Sequence, residues 1–465
     1  MKNLFLLAAV ALGLAHCTDP TEIGGDLLEP TLLPVVFTDS LPVELTTVRA
    51  DTTLTAALNT PAGFVPVGCL DDPTFGLSSV TVGFELIQRD SVLEDLSSIT
   101  FDSAVLVLPF DTAAQIGDTL ATFAFEVLQA APGTIDVTEA LTSTPLESGG
   151  LPLATFAGPA PRAPTTVVRY PADQAMTVDT DTVDFVARIG LSREFIDAVR
   201  PALAAASDGS DQTERDSIFI DNFPGLVLRP SDCTATLPAL NLSDALLDRI
   251  GVRLYYQDFG RTQEYNLSLR RNATAQSVLR AAFAKTYDGS LAERVLSGEV
   301  TGDSVALIQG LAGLGVRVNF PDVTSFAGEV VSYALLELPI VRDGFVEPYR
   351  TLRVARRNSV GDFVEAGGID GTFEAPFRVG PEGGFVRRVP VGSGTDSIDV
   401  YQLNITAFMQ EVASGEADPE LFVLTNGNAS LGNTGDLVLG NRSIIAGTGA
   451  QPHRTRLLLA TAELP

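Results

Sequence analysis

Val80–Ile87, VTVGFELI, is the stretch on which the reading of the fold turns. Val80, Val82, Phe84 and Leu86 recur at every second position, with Thr81, Gly83 and Glu85 between them. A period of two sends alternate side chains to opposite faces of an extended chain, and β-branched and aromatic residues suit a half-buried pleated surface. The same alternation returns in Ala104–Phe110 (AVLVLPF), Ala121–Leu128 (ATFAFEVL), Ile250–Gln257 (IGVRLYYQ), Glu264–Arg270 (EYNLSLR), Tyr333–Ile340 (YALLELPI) and Arg456–Thr461 (RLLLAT). Pro, Gly, Asp and Asn punctuate these runs, as expected for strands joined by turns.

Helical patterning is confined to three places: Ser192–Ala206, which opens on a Ser cap and contains Pro201; Thr274–Leu296; and Ile405–Val412. Strands do not alternate with long helices, which argues against a parallel α/β architecture. Ser103–Pro109 (SAVLVLP) is echoed by Ser332–Pro339 (SYALLELP), and after each the chain runs through a second strand, a short helix and a final alternating strand. The expected fold is mainly β, with two β-sandwich, jelly-roll-like domains of related plan and a few short helices. The expected boundaries are an N-terminal domain at 35–272, a helical linker at 273–300 and a C-terminal domain at 301–465.

The start of the chain reads differently. Lys2 precedes the apolar run Leu4–Ala15, which is too short to span a bilayer and has the form of a secretory signal. Cys17 follows at once, with Leu14 and Ala15 before it and His16 where a small residue is usual. This order predicts a lipoprotein signal peptide over 1–16, acylation (a palmitate-type chain) on Cys17, and a polar tether to residue 34. An ordinary secretory signal, with Cys17 a bystander, is the alternative.

The net charge is −28, with 58 acidic against 30 basic residues and only two lysines, Lys2 and Lys285. A chain this acidic is not a nucleic-acid binder, because nothing on it would displace counterions from phosphates. Cys69 and Cys233 are a candidate disulfide in an oxidising compartment, although their spacing leaves the pairing open. No cofactor and no metal are expected. Asp179–Asp181 and Asp208–Glu214 are acidic enough to offer oxygens to a cation, but they lack the ordered ligand spacing of a calcium loop and read as solvated loops. Asp71-Asp72-Pro73 reads as a turn with Phe75 a core plug, since neighbouring carboxylates on an extended segment point apart. Gly310–Gly315 lacks the Lys and Ser/Thr of a phosphate loop and leads into the strand-like Val316-Arg317-Val318. His16 and His453 are the two histidines, and only His453 lies beyond the signal. Triad and multi-histidine zinc chemistry therefore have no support, and no catalytic residue is assigned.

Thr21–Leu28 (TEIGGDLL) after Cys17, Val67–Gly76 (VGCLDDPTFG), Ile308–Val318 (IQGLAGLGVRV), Ala334–Pro339 and the closing Arg-Leu-Leu-Leu strand occur in an order that resembles the outer-membrane lipoproteins called domain of unknown function 4270, of Bacteroidota-type Gram-negative bacteria. The resemblance spans nearly the whole chain. It implies an exported, lipid-anchored, mostly β protein, and it carries over no reaction and no catalytic residue. Exported proteins of such bacteria carry O-glycans at Asp-Ser/Thr-apolar sites. By that resemblance Ser40, Ser91, Ser103, Thr119, Thr182, Ser217, Ser304 and Ser397 are candidate O-glycosylation sites, while the same tripeptide also serves as a turn before a strand.

The functional expectation is a non-enzymatic binding or scaffold subunit. It would be anchored to the outer membrane through its N-terminal lipid and partnered with another cell-envelope protein. The alternative is a surface protein that binds a polysaccharide. That alternative is weakened by the absence of Trp and by Tyr255-Tyr256, whose rings must face opposite sides of a strand.

Overall fold

The computed structural model describes residues 35–462 except 51–63, 89–95, 136–140, 171–178, 243–249, 270–278, 358–362, 366–385, 391–396, 426–441 and a few isolated positions. Residues 1–34, on which the expected signal, tether and lipidated Cys17 fall, lie outside the described residues, as do Ser40 and Ser91. The fold is mainly β, built from curled antiparallel sheets in a sandwich-like arrangement, with four short helices among the described residues.

The first body has two seven-stranded sheets. In one, strand Gly76–Phe84 lies between Leu226–Pro230 and Leu279–Thr286. In the other, the long strand Phe101–Gly117 pairs with Val186–Leu191, Thr236–Asn241 and Gly251–Asp258. Val80, Val82 and Phe84 of the first sheet share one core with Leu106, Leu108, Phe110, Val252 and Leu254 of the second, as the alternation requires. Helices Arg193–Ala206 and Gln212–Asn222 add Phe195, Val199, Phe219 and Phe223 to it. The second body is one twelve-stranded sheet curled around a core of Val316, Val318, Leu336, Leu338, Tyr401, Leu457 and Leu459. Helix Thr406–Ala413 contributes Phe408, Met409 and Val412.

The sequence echo has a counterpart in the strand pairing. Strand Val330–Val341 holds the place of Phe101–Gly117. It pairs with the closing strand Arg456–Ala462, with Ser397–Asn404 just before a helix, and with Arg442–Ala446. In the first body, Gly251–Asp258, Val186–Leu191 and Thr236–Asn241 fill those three places around the long strand. Likewise, Leu314–Asn319 pairs with Glu420–Thr425 as Gly76–Phe84 pairs with Leu226–Pro230.

The second body takes two of its strands from before the first body in the chain. β1 (Val35–Thr38) and β2 (Glu44–Arg49) pair with Arg456–Ala462 and Leu314–Asn319 of the second body. Arg261–Leu269 and Leu279–Thr286 pair with Gly251–Asp258 and Gly76–Phe84 and complete the sheets of the first. The expected boundaries need correction on this point. Residues 35–49 belong to the second body rather than to an N-terminal domain, and 279–286 is a strand of the first body rather than part of a helical linker. Leu279–Thr286 (LRAAFAKT) is rich in helix formers, but eight successive pairings to Thr286↔Leu77 hold it extended, and tertiary context outweighs propensity. Among the described residues of the expected linker, Leu291–Leu296 alone is helical.

Cys69 and Cys233 form a disulfide, with Cα atoms 4.5 Å apart across a sequence separation of 164. The Thr234 amide donates to the Cys69 carbonyl (2.9 Å) and the Asp71 amide to the Thr234 carbonyl (2.7 Å), so the bond ties the loop before Thr236 to strand Gly68–Asp72. Replacing both cysteines by Ala is expected to lower the unfolding free energy by about 2–5 kcal/mol, the range for loss of a native disulfide. Urea unfolding of the oxidised protein and the double variant checks this.

Candidate functional site: a buried ionic junction between the bodies

The Asp71–Gly76 block forms the tip of a hairpin from Gly68–Asp72 to Gly76–Phe84. Asp72 Oδ1 accepts the Thr74 amide (2.8 Å) and the Phe75 amide (3.1 Å), which is the turn the sequence announced. Gly76 closes it at φ 76°, where a Cβ would collide with the Thr286 carbonyl, so the position requires glycine. Asp71 points to solvent and Asp72 is 2% exposed. The two carboxylates therefore do not form an acid/base pair. Phe75 is fully buried in a small core with Tyr287, Ala292 and Val295, and with Leu307, Leu314 and Ile444 of the second body.

What the sequence reading missed is the partner of Asp72. Its Oδ2 accepts from the Arg442 Nε, 370 residues away, and Arg442 is itself 2% exposed. Arg442 opens strand Arg442–Ala446. Its Nη2 donates to Asp343 Oδ2 (2.5 Å), and its guanidinium lies 4.9 Å from the Phe75 ring centroid and 5.6 Å from that of Phe345. One cation thus sits between two carboxylates and two aromatic faces, a setting that suits the planar guanidinium. Partial burial opposes ionisation of Asp343, but the hydrogen bonds from Arg442 and the Phe345 amide, with the guanidinium charge, leave its pKa below the ordinary value. Ser443 fixes the strand from the other side: its Oγ accepts the Tyr349 amide (3.1 Å) and lies 2.7 Å from the Tyr401 hydroxyl.

Beside this cluster runs a second polar chain. Lys285 Nζ donates to Ser78 Oγ (3.2 Å), as does Gln309 Nε2 (3.2 Å), and the Tyr287 hydroxyl donates to Gln309 Oε1 (3.3 Å). Loss of hydration pushes the Lys285 pKa down to about 7, against the pull of the Asp72 carboxylate. The Gln309–Leu314 hairpin, like Asp71–Gly76, is one of the two compact blocks of the sequence. The structure brings them together through Ser78 and Gln309. Strand Val305–Gln309 precedes the glycine-rich block Gly310–Gly315, and Leu314 and Gly315 at its end already belong to strand Leu314–Asn319 rather than to a helix.

The remaining candidates stay apart. Ser103, Thr182, Ser217, Ser304 and Ser397 are exposed and Thr119 is half-buried; Ser103 and Thr182 lie within strands and Ser217 within a helix, so these three are not turn residues. In Asp208–Glu214 the residues before Gln212 form a turn and cap and Gln212–Glu214 begin a helix, with Asp208, Asp211 and Glu214 exposed as a solvated segment requires. Asp211 Oδ1 caps Gln212–Asn222 by accepting the Glu214 amide (2.9 Å), and Glu214 reaches back to the Ser210 amide (2.8 Å). The Asp-x-x-Glu spacing was the signal. Asp179–Asp181 lies in strand Asp179–Val183. Among the described residues no three His, Cys, Asp or Glu side chains converge as metal ligands, and His453 is half-buried. Tyr256 is 7% exposed in the core, and Tyr255 contacts Tyr170 and accepts a hydrogen bond from Arg188.

The junction holds charges in place, and its removal is expected to be costly. Arg442→Met leaves Asp72 buried without its cation and should lower the unfolding free energy by about 3–5 kcal/mol, with part recovered when Asp72→Asn is added; urea unfolding of both variants measures this. The folded pKa of Lys285 lies below its ordinary 10.5, so the unfolded chain binds more protons between about pH 7 and 10.5. The contribution of Lys285 to stability therefore rises with pH across that window, and its cost is fully present below pH 7. Lys285→Met should flatten the rise, which paired urea titrations at pH 6.5, 8 and 9.5 would read. No protein-family model matches this chain, and neither a curated protein nor a solved structure matches it at a significant level.

Proposed function

We propose that this protein is an exported, lipid-anchored and non-enzymatic subunit that binds or scaffolds another component of the cell envelope, held at the outer membrane of a Gram-negative bacterium by acylation of Cys17. The observation that carries this reading is the junction. The chain's most distinctive polar residues, Asp72, Asp343, Arg442, Lys285, Ser78 and Gln309, are engaged with one another in bracing two β bodies. A braced pair of sheets is a rigid platform, and rigidity lowers the entropy cost of holding a partner. The Cys69–Cys233 disulfide fits an oxidising compartment, in accord with a secretory start to the chain. The resemblance to the domain of unknown function 4270 lipoproteins, carried by the blocks around Gly24, Asp72 and Gly313, points the same way.

The full chain with a C-terminal tag, purified from detergent-solubilised envelope, is expected to bring down one envelope protein in stoichiometric amount. Its intact mass should show an acylated chain beginning at Cys17, and Cys17→Ser should move it out of the membrane fraction. A clean monomer that instead binds a purified polysaccharide would replace this reading with the glycan-binding one.

A further inference from the structure

The polar chain beside the Arg442 cluster gathers four groups with distinct roles in acyl transfer. The Ser78 hydroxyl oxygen lies 3.2 Å from Lys285 Nζ and 3.2 Å from the Gln309 carboxamide nitrogen. The Tyr287 hydroxyl donates to the oxygen of that same carboxamide (3.3 Å). The carbonyl carbon is one amide bond, about 1.33 Å, beyond the nitrogen. A hydroxyl, an amine, an acyl group and a donor to the acyl oxygen thus meet at one place. Ser78, Gln309 and Tyr287 are 3%, 4% and 6% exposed, so an acyl product formed there is shielded from hydrolysis.

The identity of the amine matters. The chain has 30 basic residues but only two lysines, and Lys285 is the one beyond the apolar start. An arginine would hydrogen-bond Ser78 as well but could never take up its proton. Loss of hydration brings Lys285 to about 7, against the pull of Asp72, so near neutral pH much of it is uncharged and able to act as a base.

The acyl group is also held in place. A Cβ at position 313 would lie 2.6 Å from Gln309 Oε1 and 2.9 Å from Gln309 Cβ, so Gly313 leaves room for this side chain and packs against it. The Gly313 amide donates to the Gly310 carbonyl (3.1 Å) and its carbonyl accepts the Ala50 amide (3.0 Å), which fixes the turn.

We propose that Ser78 and Gln309 form an intramolecular ester that joins the two bodies covalently, with Lys285 as general base and Tyr287 as donor to the oxyanion. Uncharged Lys285 takes the hydroxyl proton as Ser78 Oγ bonds to Gln309 Cδ, and the carbonyl electron pair moves onto Oε1, facing the Tyr287 hydroxyl. The pair returns, the Cδ–Nε2 bond breaks, and the Lys285 ammonium passes its proton to the departing nitrogen, which leaves as ammonia. Lys285 ends uncharged, as it began, and the step occurs once per chain. Ser78 lies on Gly76–Phe84 and Gln309 ends Val305–Gln309, so the ester links positions 231 residues apart across the junction. It is independent of what the protein binds.

The test is a tryptic map of the reduced full chain, purified folded from its native envelope. Peptides 50–89 and 295–317 should be joined, at about 17 Da (one ammonia) below their summed mass. Hydroxylamine, which cleaves esters and spares amides, should separate them. Ser78→Ala and Gln309→Leu should abolish the joined product. Its rate is followed as chain isolated from inclusion bodies refolds. Lys285→Met should slow it about a hundredfold or more, and Tyr287→Phe about a hundredfold. Lys285→Arg, which keeps the charge and the hydrogen bond, should be as slow as Lys285→Met. A folded wild-type chain with the two peptides separate at full mass overturns the proposal. So does a hydroxylamine-resistant product joining Lys285 to Gln309, and so does a Lys285→Arg chain that links at the native rate.

Discussion

The contact on which the rest of the structure depends is the one between Arg442 and Asp72. It joins the tip of a hairpin in one body to the start of a strand in the other, and both side chains are 2% exposed. A buried cation is tolerable only when its charge is answered and its donors are used. Asp343 supplies the second carboxylate, Phe75 and Phe345 supply the faces, and Ser443 with Tyr401 and Tyr349 holds the adjoining backbone. Apolar residues of matching volume would fill the same space at no electrostatic cost. What they lack is direction: a guanidinium between two carboxylates accepts one register of hairpin against strand.

The junction and the strand order are complementary. The second body's sheet takes in β1 and β2 from before the first body, so the chain of the first body is held between two parts of the second. The ionic cluster ties the bodies at the hairpin tips. The Lys285–Ser78–Gln309 chain crosses between the bodies as well, because Lys285 on strand Leu279–Thr286 and Ser78 on its neighbour belong to the first and Gln309 to the second. The Thr47 hydroxyl does similar duty for β2, accepting the Leu307 amide at 3.0 Å.

Local pattern made some of this legible and hid the rest. The period-two runs located Val80–Phe84, the two long strands and the closing strand Arg456–Ala462, because burial of one face leaves its mark at every second residue. The Asp72 turn was readable because Asp, Pro73 and Gly76 each impose a local conformation. Leu279–Thr286 was not, since its composition favours a helix and only pairing with Gly76–Phe84 decides otherwise. β1 and β2 have the composition of strands, but nothing within them says which sheet they join. Arg442 stands in an ordinary surface-like context, NRS, and its burial follows from a carboxylate 370 positions away. Pairwise electrostatics across such distances leave no periodicity to read in one sequence.

The pairing of Val35 with Ala462 has a consequence for the order in which the chain can take shape. A ribosome releases β1 and β2 first and their partner Arg456–Ala462 last. Through nearly the whole of synthesis, and through any passage across a membrane as an unfolded thread, the strand VVFT has no sheet to enter. The second body cannot close from its own contiguous residues, whereas the first can once Leu279–Thr286 has arrived. Such non-local topology is slow to assemble and leaves adhesive strands bare in the meantime. The same strand order that completes the second sheet thus makes its precursor dependent on protection until the final strand is in place.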